Sequence, residues 1–301
     1  MNLAPIVLFV YNRPWHTKQT IEALKKNELA RDSSLFIYSD GAKDEASKSS
    51  VDEVREYIDS IDGFKSITII KQEQNRGLAN SIIEGVTKIV EEYGEIIVLE
   101  DDLVTSPYFL RYMNDALEFY RDYEEVMHIS GYIYPIDSSS LKDTFFIKPA
   151  SCWGWATWSR AWRYFKKDSS YYLDIFDKNM IRDFNLNNSY NYFNQILSNQ
   201  RGDIDTWAIF WYASLYLQNG LSLHPKESFT QNIGHDGEGS NCKITNKYDV
   251  KLVDRYPFKF MNIIEEDIVA RNRIEIYFNS IKPTLLNRIY NKISNIVERV
   301  L

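Results

Sequence analysis

Cysteine is nearly missing from this chain: Cys152 and Cys242 are the two in 301 residues. They form no CxxC pair and no Cys/His spacing, which excludes a cysteine-based metal site and fits a reducing compartment. Long apolar runs are missing too. No stretch approaches the roughly 18 consecutive apolar residues of a spanning helix, and Met1 to Pro5 shows no basic segment leading into an apolar one. The expectation is therefore a soluble cytoplasmic protein. Basic charge is in deficit, with 35 Lys and Arg against 42 Asp and Glu for a net charge of −7, which argues against a nucleic-acid partner held by bulk electrostatics. Neither Gly-x-Gly-x-x-Gly nor Gly-x-x-x-x-Gly-Lys occurs, so dinucleotide and P-loop chemistry are set aside. There is no internal repeat and no low-complexity linker.

What the chain has in quantity is aromatic surface, 15% of residues with 21 Tyr and 7 Trp. That composition belongs to a globular protein with an aromatic-lined cleft, and the length suffices for one large domain or a domain with an elaborated second half. Pro5 to Tyr11 is a continuous apolar run without alternation, the pattern of a strand buried on both faces of a parallel sheet. Strands are likewise expected at Leu35–Ser39, Ser66–Lys71 and from Glu95, with helices over Thr17–Ala30, about 46–61 and about 79–93 between them. Strands recurring at about 30-residue intervals with helices between them spell βαβ units, whose ligands bind outside the carboxyl ends of the strands. Each of the four strands ends in a polar cluster: Tyr11-Asn12-Arg13, Asp40-Gly41, Asn75-Arg76-Gly77 and Glu100-Asp101-Asp102.

The fourth cluster is the costliest. Two carboxylates roughly 4 Å apart repel by about 4 kcal/mol at an effective dielectric near 20, so three together need solvent, hydrogen-bond donors or a cation. Hard oxygen ligands at a strand's carboxyl end suit Mg²⁺ or Mn²⁺ shared with a phosphate-bearing substrate, although a solvated acidic turn fits the three residues alone equally well.

Beyond this cluster, Ser106-Pro107 reads as a cap and first-turn proline for a helix to about Tyr123, and short strands follow near Met127–Ser130 and Phe145–Lys148. Trp153, Trp155, Trp158 and Trp162 place four of the seven tryptophans within ten residues, a density that suggests rings facing a ligand as well as filling a core. Asp203 and Asp205 open a helical stretch to about Gln218 and fit either chemistry or amino-terminal caps. After a short strand at Leu221–Pro225, the glycine-rich segment Asn232–Ser240 carries His235 among polar neighbours. Ile281 to Leu301 is amphipathic, able to pack on its own domain or a second copy, or to touch an anionic membrane.

In the order and placement of these pieces the chain resembles the GT-A glycosyltransferases, in particular bacterial family-2-like sugar transferases and more distantly the N-acetylglucosaminyltransferase I group. The resemblance rests on Tyr11-Asn12-Arg13-Pro14, Ser39-Asp40-Gly41, Asn75-Arg76-Gly77-Leu78, Leu99-Glu100-Asp101-Asp102, the Trp153–Trp158 segment, Asp205-Thr206-Trp207 and Asn232–His235, and spans about residues 4–240. It implies an α/β, Rossmann-like GT-A fold with a mostly parallel sheet flanked by helices and an aromatic-rich, acceptor-side second half. The implied domain covers 1–240, with a nucleotide-sugar half to about 130, followed by a C-terminal extension over 241–301.

Carried over residue by residue, the resemblance puts Tyr11, Asn12 and Arg13 by the base and ribose, Asp40 on the base and Arg76 toward the nucleotide or its phosphates. Glu100 and Asp101 would hold ribose and donor sugar, with Trp153 and Trp155 on the donor side. Asp102 and His235 are the implied ligands of Mn²⁺ or Mg²⁺, and Asp205 the base, with Asp203 left open because Ile204 stands where the family has tryptophan. The activity implied is metal-dependent, inverting sugar transfer from a nucleotide sugar, UDP-sugar favoured, to a glycan or lipid-linked acceptor in surface glycan synthesis. The first strand ends in Tyr-Asn-Arg, unlike a haloacid phosphatase, and lacks the glycine-rich basic loop of a nucleotidyltransferase. A non-catalytic sugar-binding protein on the same scaffold is the remaining alternative.

Overall fold

The computed structural model describes residues 3–237 and 244–282. Its first half is the expected βαβ series: β1 (Ile6–Val10), α1 (Pro14–Lys25), β2 (Ser34–Ser39), α2 (Glu45–Asp59), β3 (Ser66–Lys71), α3 (Leu78–Tyr93) and β4 (Glu95–Glu100). The local chemistry fits each boundary. Pro14 occupies the first turn of α1, where its missing N–H costs nothing. Asp44 and Ser47 form a reciprocal capping box at the start of α2, and Gly94 ends α3 in the left-handed conformation that glycine adopts without strain.

The chain continues through β5 (Leu103–Thr105), α4 (Phe109–Phe119), β6 (Val126–Ser130), β7 (Thr144–Ile147), β8 (Trp155–Trp158), α5 (Ser159–Trp162), α6 (Ser169–Ile175), α7 (Lys178–Phe184), α8 (Phe193–Arg201), α9 (Ala208–Leu217), β9 (Leu221–Pro225), β10 (Thr230–Asn232) and α10 (Ile268–Ile281). One eight-stranded sheet has the order β3-β2-β1-β4-β8-β6-β9-β7, and β5 pairs separately with β10. Parallel pairing joins β3, β2, β1 and β4, and also β6 with β9. Strands β8 and β7 run antiparallel to their neighbours, which makes the sheet mostly parallel, as expected.

Register sets the site. Phe9 lies opposite Glu100 and Val10 opposite Ser39, so the carboxyl ends of β1, β2 and β4 finish level. The strand order reverses between β1 and β4, and the crevice at such a switch point is where open α/β sheets bind ligands.

Strand β1 shows why the sheet has no polar face. Ile6, Leu8 and Val10 pack with α1, α2 and α4 on one side, while Val7 and Phe9 pack with α3, α5 and α9 on the other. Each fully buried side chain of this size contributes about 1.5–3 kcal/mol, and every β1 residue is within 4% of complete burial.

Three features depart from expectation. The tryptophan-rich segment is a central strand, β8, inserted between β4 and β6. The strands β5 and β10 are short and pair across more than 120 residues. Helix α10 precedes the amphipathic segment, most of which, from residue 283, lies outside the described residues. The chain beyond residue 244 returns to the body: Val253 and Phe258 join the α1/α2/α4 core, and Ala270, Ile274 and Phe278 of α10 pack with Phe145 and Ile147 of β7.

Candidate active site

The acidic turn after β4 is clamped from two sides. Thr20 of α1 donates its hydroxyl to the Asp101 carbonyl at 2.8 Å, and the Ile233 amide donates to the Asp102 carbonyl at 2.8 Å. Helix α1 and the segment after β10 thus fix the backbone, and both residues are left 7% exposed or less. Arg13, the N-cap residue of α1, answers them: one guanidinium nitrogen donates to both Asp101 and Asp102, at 2.9 Å to the latter. Its backbone is held by Pro14 behind it and by the Thr17 amide on its carbonyl.

One guanidinium does not neutralise three acids. Burial pushes Glu100 up to about 8, with Asp102 and Asp101 adding to the rise. Burial also pushes Asp101 up to about 6 against the pull of Arg13. Glu100 is thereby shifted toward its protonated form, in which the carboxyl can donate a hydrogen bond. The neighbouring Cys152 thiol is held well above its ordinary value by burial and by Glu100, the opposite of an activated nucleophile.

Asp40, which the resemblance puts on the base, is engaged by the chain itself. Its carboxylate accepts four hydrogen bonds, from the Gly41 and Arg76 amides on one oxygen and from the Gly77 amide and Asn75 Nδ2 on the other, at 2.8–3.1 Å. A carboxylate has about four acceptor sites, so Asp40 is saturated and pins the end of β3 to the end of β2. Gly41 is required beside it, since a Cβ there would stand 2.5 Å from the Gln74 carbonyl carbon. Arg76, which the resemblance turns toward the nucleotide, is engaged as well. Its side chain pairs with Glu84 at 2.9 Å on the surface of α3, so only its backbone faces the cluster. Tyr11 accepts from the Lys43 amide through its hydroxyl, and its own amide supports the Asp101 carboxylate. Asn12 is half-buried beside them.

Of the two tryptophans expected at the donor, one remains accessible beside His235. Trp153 is half-buried, with its ring edge-on to His235 at 5.2 Å and to Tyr132 at 4.6 Å. Trp155 is 0% exposed, stacked between His128 and Trp207. It has no face free for a ligand, because Gly154, at φ +75°, turns the chain between the two rings. A Cβ at Gly154 would meet Thr230 at 2.6 Å, so the turn belongs to glycine.

His235 hydrogen-bonds Asn232 Oδ1 at 3.1 Å and packs on Trp153 and Tyr248. Among the described residues no three His, Cys, Asp or Glu side chains converge on a metal position. The donor set nevertheless fits a divalent cation of the Mg²⁺ type, which takes one or two carboxylates and completes its shell with water and substrate phosphate. Two observations support the fit. A cationic guanidinium already lies against Asp101 and Asp102, and Gly234 comes so close that a Cβ would stand 2.2 Å from Asp102 Oδ2.

Asp205 lies on a separate wall. Its carboxylate is 67% exposed and pairs with Lys167, lining a cavity of about 440 Å³ with Ser169, Asn199, Asp203 and Phe210. Asp203 pairs with Arg201 at 2.7 Å. Neither caps α9, whose N-cap is Trp207 without a side-chain hydrogen bond. Sequence reasoning missed Thr20, Gly234 and the pair between His16 Nε2 and Asp236 at 2.8 Å, which fastens the loop bearing His235 to α1. Glycine at 234 was the one visible signal.

A mostly parallel βαβ sheet with a carboxylate pair at its switch point and an aromatic-rich second half is the arrangement expected of the GT-A sugar transferases that the sequence resembles. The sequence model of glycosyl transferase family 2 matches residues 6–186. The chain belongs to that family and is a glycosyltransferase. No curated protein matches it in sequence. Among solved structures it is similar to the mannosyltransferase PcManGT from Pyrobaculum calidifontis in complex with GDP-Man and Mn²⁺, at 10% identity and TM-score 0.39 over 72% of each chain. It is also similar to S. aureus TarS 1–349, at 10% identity and TM-score 0.42, over 75% of this chain and 59% of that one. A longer S. aureus TarS chain matches at 10% identity and TM-score 0.43, over 77% of this chain and 37% of that one. No helix among the described residues is long and apolar enough to cross a membrane.

Proposed function

We propose that this glycosyltransferase moves a sugar from a nucleotide-sugar donor, a UDP-sugar by preference, to a glycan or lipid-linked acceptor in surface polysaccharide or glycoprotein synthesis. The transfer inverts the anomeric carbon and depends on Mn²⁺ or Mg²⁺. The observation that carries this reading is the buried Asp101–Asp102 pair at the switch point, already sharing one cationic partner. Asp102 and His235 would hold the cation together with the donor's diphosphate. When bound, it supplies positive charge where negative charge develops on the departing diphosphate.

The other side chains take roles that the resemblance implies and that their surroundings allow. Tyr11 and Asn12 flank the base and ribose, and Asp40 keeps the Asn75–Gly77 turn in place beneath them. Glu100 hydrogen-bonds a donor-sugar hydroxyl, with Trp153 offering an aromatic edge. Asp205 takes the acceptor hydroxyl's proton from the open cavity. Lys167 would release it as the acceptor enters, and Asp203, engaged by Arg201, is the second candidate.

Thermal unfolding of the wild type and Asp102→Ala with UDP, GDP, dTDP and CMP, each with and without Mn²⁺, tests the reading. A ligand that binds only the folded state raises the melting temperature by mass action. One nucleotide should stabilise the wild type in a Mn²⁺-dependent way and leave Asp102→Ala unmoved. If no nucleotide stabilises the wild type in either condition, the reading fails.

A further inference from the structure

We propose that Arg13 is a built-in stand-in for the divalent cation and that it makes cation binding conditional on the nucleoside diphosphate. The inference rests on the metal-dependent reading above and concerns what that reading leaves open, the coupling between the two ligands.

Arg13 Nη2 donates to Asp101 and to Asp102 Oδ2 at once. That oxygen is the one Gly234 approaches, and a Cβ at Gly234 would also stand 2.9 Å from Arg13 Nη1. The guanidinium thus fills the corner formed by the acidic turn and the segment after β10. Its backbone is anchored at the start of α1, while the side chain, 16% exposed, reaches the corner from the rim. The backbone can stay while the side chain leaves.

A lone cation entering this corner would have to expel a positive charge whose only anionic contacts among the described residues are Asp101 and Asp102. A nucleoside diphosphate changes the exchange. Its phosphate oxygens offer the guanidinium a bidentate anionic partner, and Asp102 becomes free for the cation. Each ligand then raises the affinity for the other by the same factor, since such coupling is reciprocal.

The test measures Mn²⁺ binding by electron paramagnetic resonance and calorimetry, with and without UDP or GDP, on the wild type, Arg13→Gln and Arg13→Lys. In the wild type a nucleoside diphosphate should tighten Mn²⁺ binding by about tenfold or more, within the usual range for coupled sites. Arg13→Gln should bind Mn²⁺ alone about tenfold more tightly than the wild type and lose most of the enhancement. Arg13→Lys, which keeps the charge, should remain weak for Mn²⁺ alone and serves as the folded control. A purely structural role for Arg13 predicts no gain in Mn²⁺ affinity on its removal. If Arg13→Gln, folded by circular dichroism, binds Mn²⁺ alone no better than the wild type, the stand-in role is overturned. A wild type that binds Mn²⁺ under neither condition overturns the metal-dependent reading itself, an outcome distinct from the first.

Discussion

Gly234 stands against Asp102 so closely that any side chain at 234 would occupy the place of the carboxylate, with a Cβ 2.2 Å from Oδ2. The same segment donates the Ile233 amide to the Asp102 carbonyl. Position 234 therefore controls where the acid points, while the backbone bond controls where it is attached.

Gly234→Ala separates the two. The clash falls on the end of a side chain that can rotate, so the fold should survive with a loss of about 1 kcal/mol or less, the usual size for substitutions that a flexible neighbour accommodates. Mn²⁺-dependent stabilisation by a nucleotide should fall by about tenfold or more in affinity. Calorimetry on the variant checks this, and unchanged affinity would show that Asp102 needs no fixed direction.

Asp40 should matter for stability more than for chemistry. Asp40→Ala strips the acceptor from three backbone amides and from Asn75, in a place 7% exposed. Each buried donor left without a partner costs about 1–3 kcal/mol, some of it recovered by entering water. Urea unfolding should report a loss of about 2–4 kcal/mol, and hydrogen exchange at Arg76 and Gly77 should accelerate. A variant as stable as the wild type would contradict the pinning role.

Much of the first half of the chain was legible because its signals are local. Each strand of the βαβ series carries its own unalternating apolar run, and the polar clusters follow directly at the strand ends. What was illegible depends on distant partners. The saturation of Asp40 needs a turn 35 residues away, and Trp153 and Trp155 look equivalent in sequence until the positive φ of Gly154 sends one ring toward His235 and the other into the core. Strand β8 was hidden for the same reason. Four residues with tryptophan at both ends suit a binding surface as well as a strand paired with β4 across more than 50 positions.

The two tryptophans should accordingly separate in experiment. Trp155→Ala removes a fully buried ring and should cost about 3–5 kcal/mol, as for other large aromatic truncations in cores. Trp155→Phe should cost less and leave nucleotide affinity unchanged. Trp153→Ala, half-buried against His235, should weaken donor binding with a smaller stability loss. Chemical denaturation paired with nucleotide titration distinguishes them, and donor affinity lost in Trp155→Phe would restore the ligand-facing role set aside above.

The pH dependence of stability isolates Glu100. Its folded pKa of about 8 lies above the ordinary glutamate value, so between the two the folded state holds a proton that the unfolded chain has released, and stability falls as pH rises. His128 and His224 act in the opposite sense. Burial lowers them to about 3 and about 4, so their contribution is present above the unfolded histidine value near 6.5 and is lost as pH falls below it. Asp101, at about 6, has finished its change by then. Across about pH 6.5 to 8 Glu100 makes the largest change among these groups, opposed at the lower edge by the two histidines. Without metal, the wild type should lose about 1–3 kcal/mol across that window, whereas Glu100→Gln, neutral throughout, should stay nearly level and be the more stable protein at pH 8. With Mn²⁺ and nucleotide present the slope should shrink, because a cation beside the cluster favours the ionised carboxylate. Melting curves at pH 6.5 and 8 for both proteins decide it, and parallel pH profiles would mean that Glu100 is ionised and solvated in the folded state.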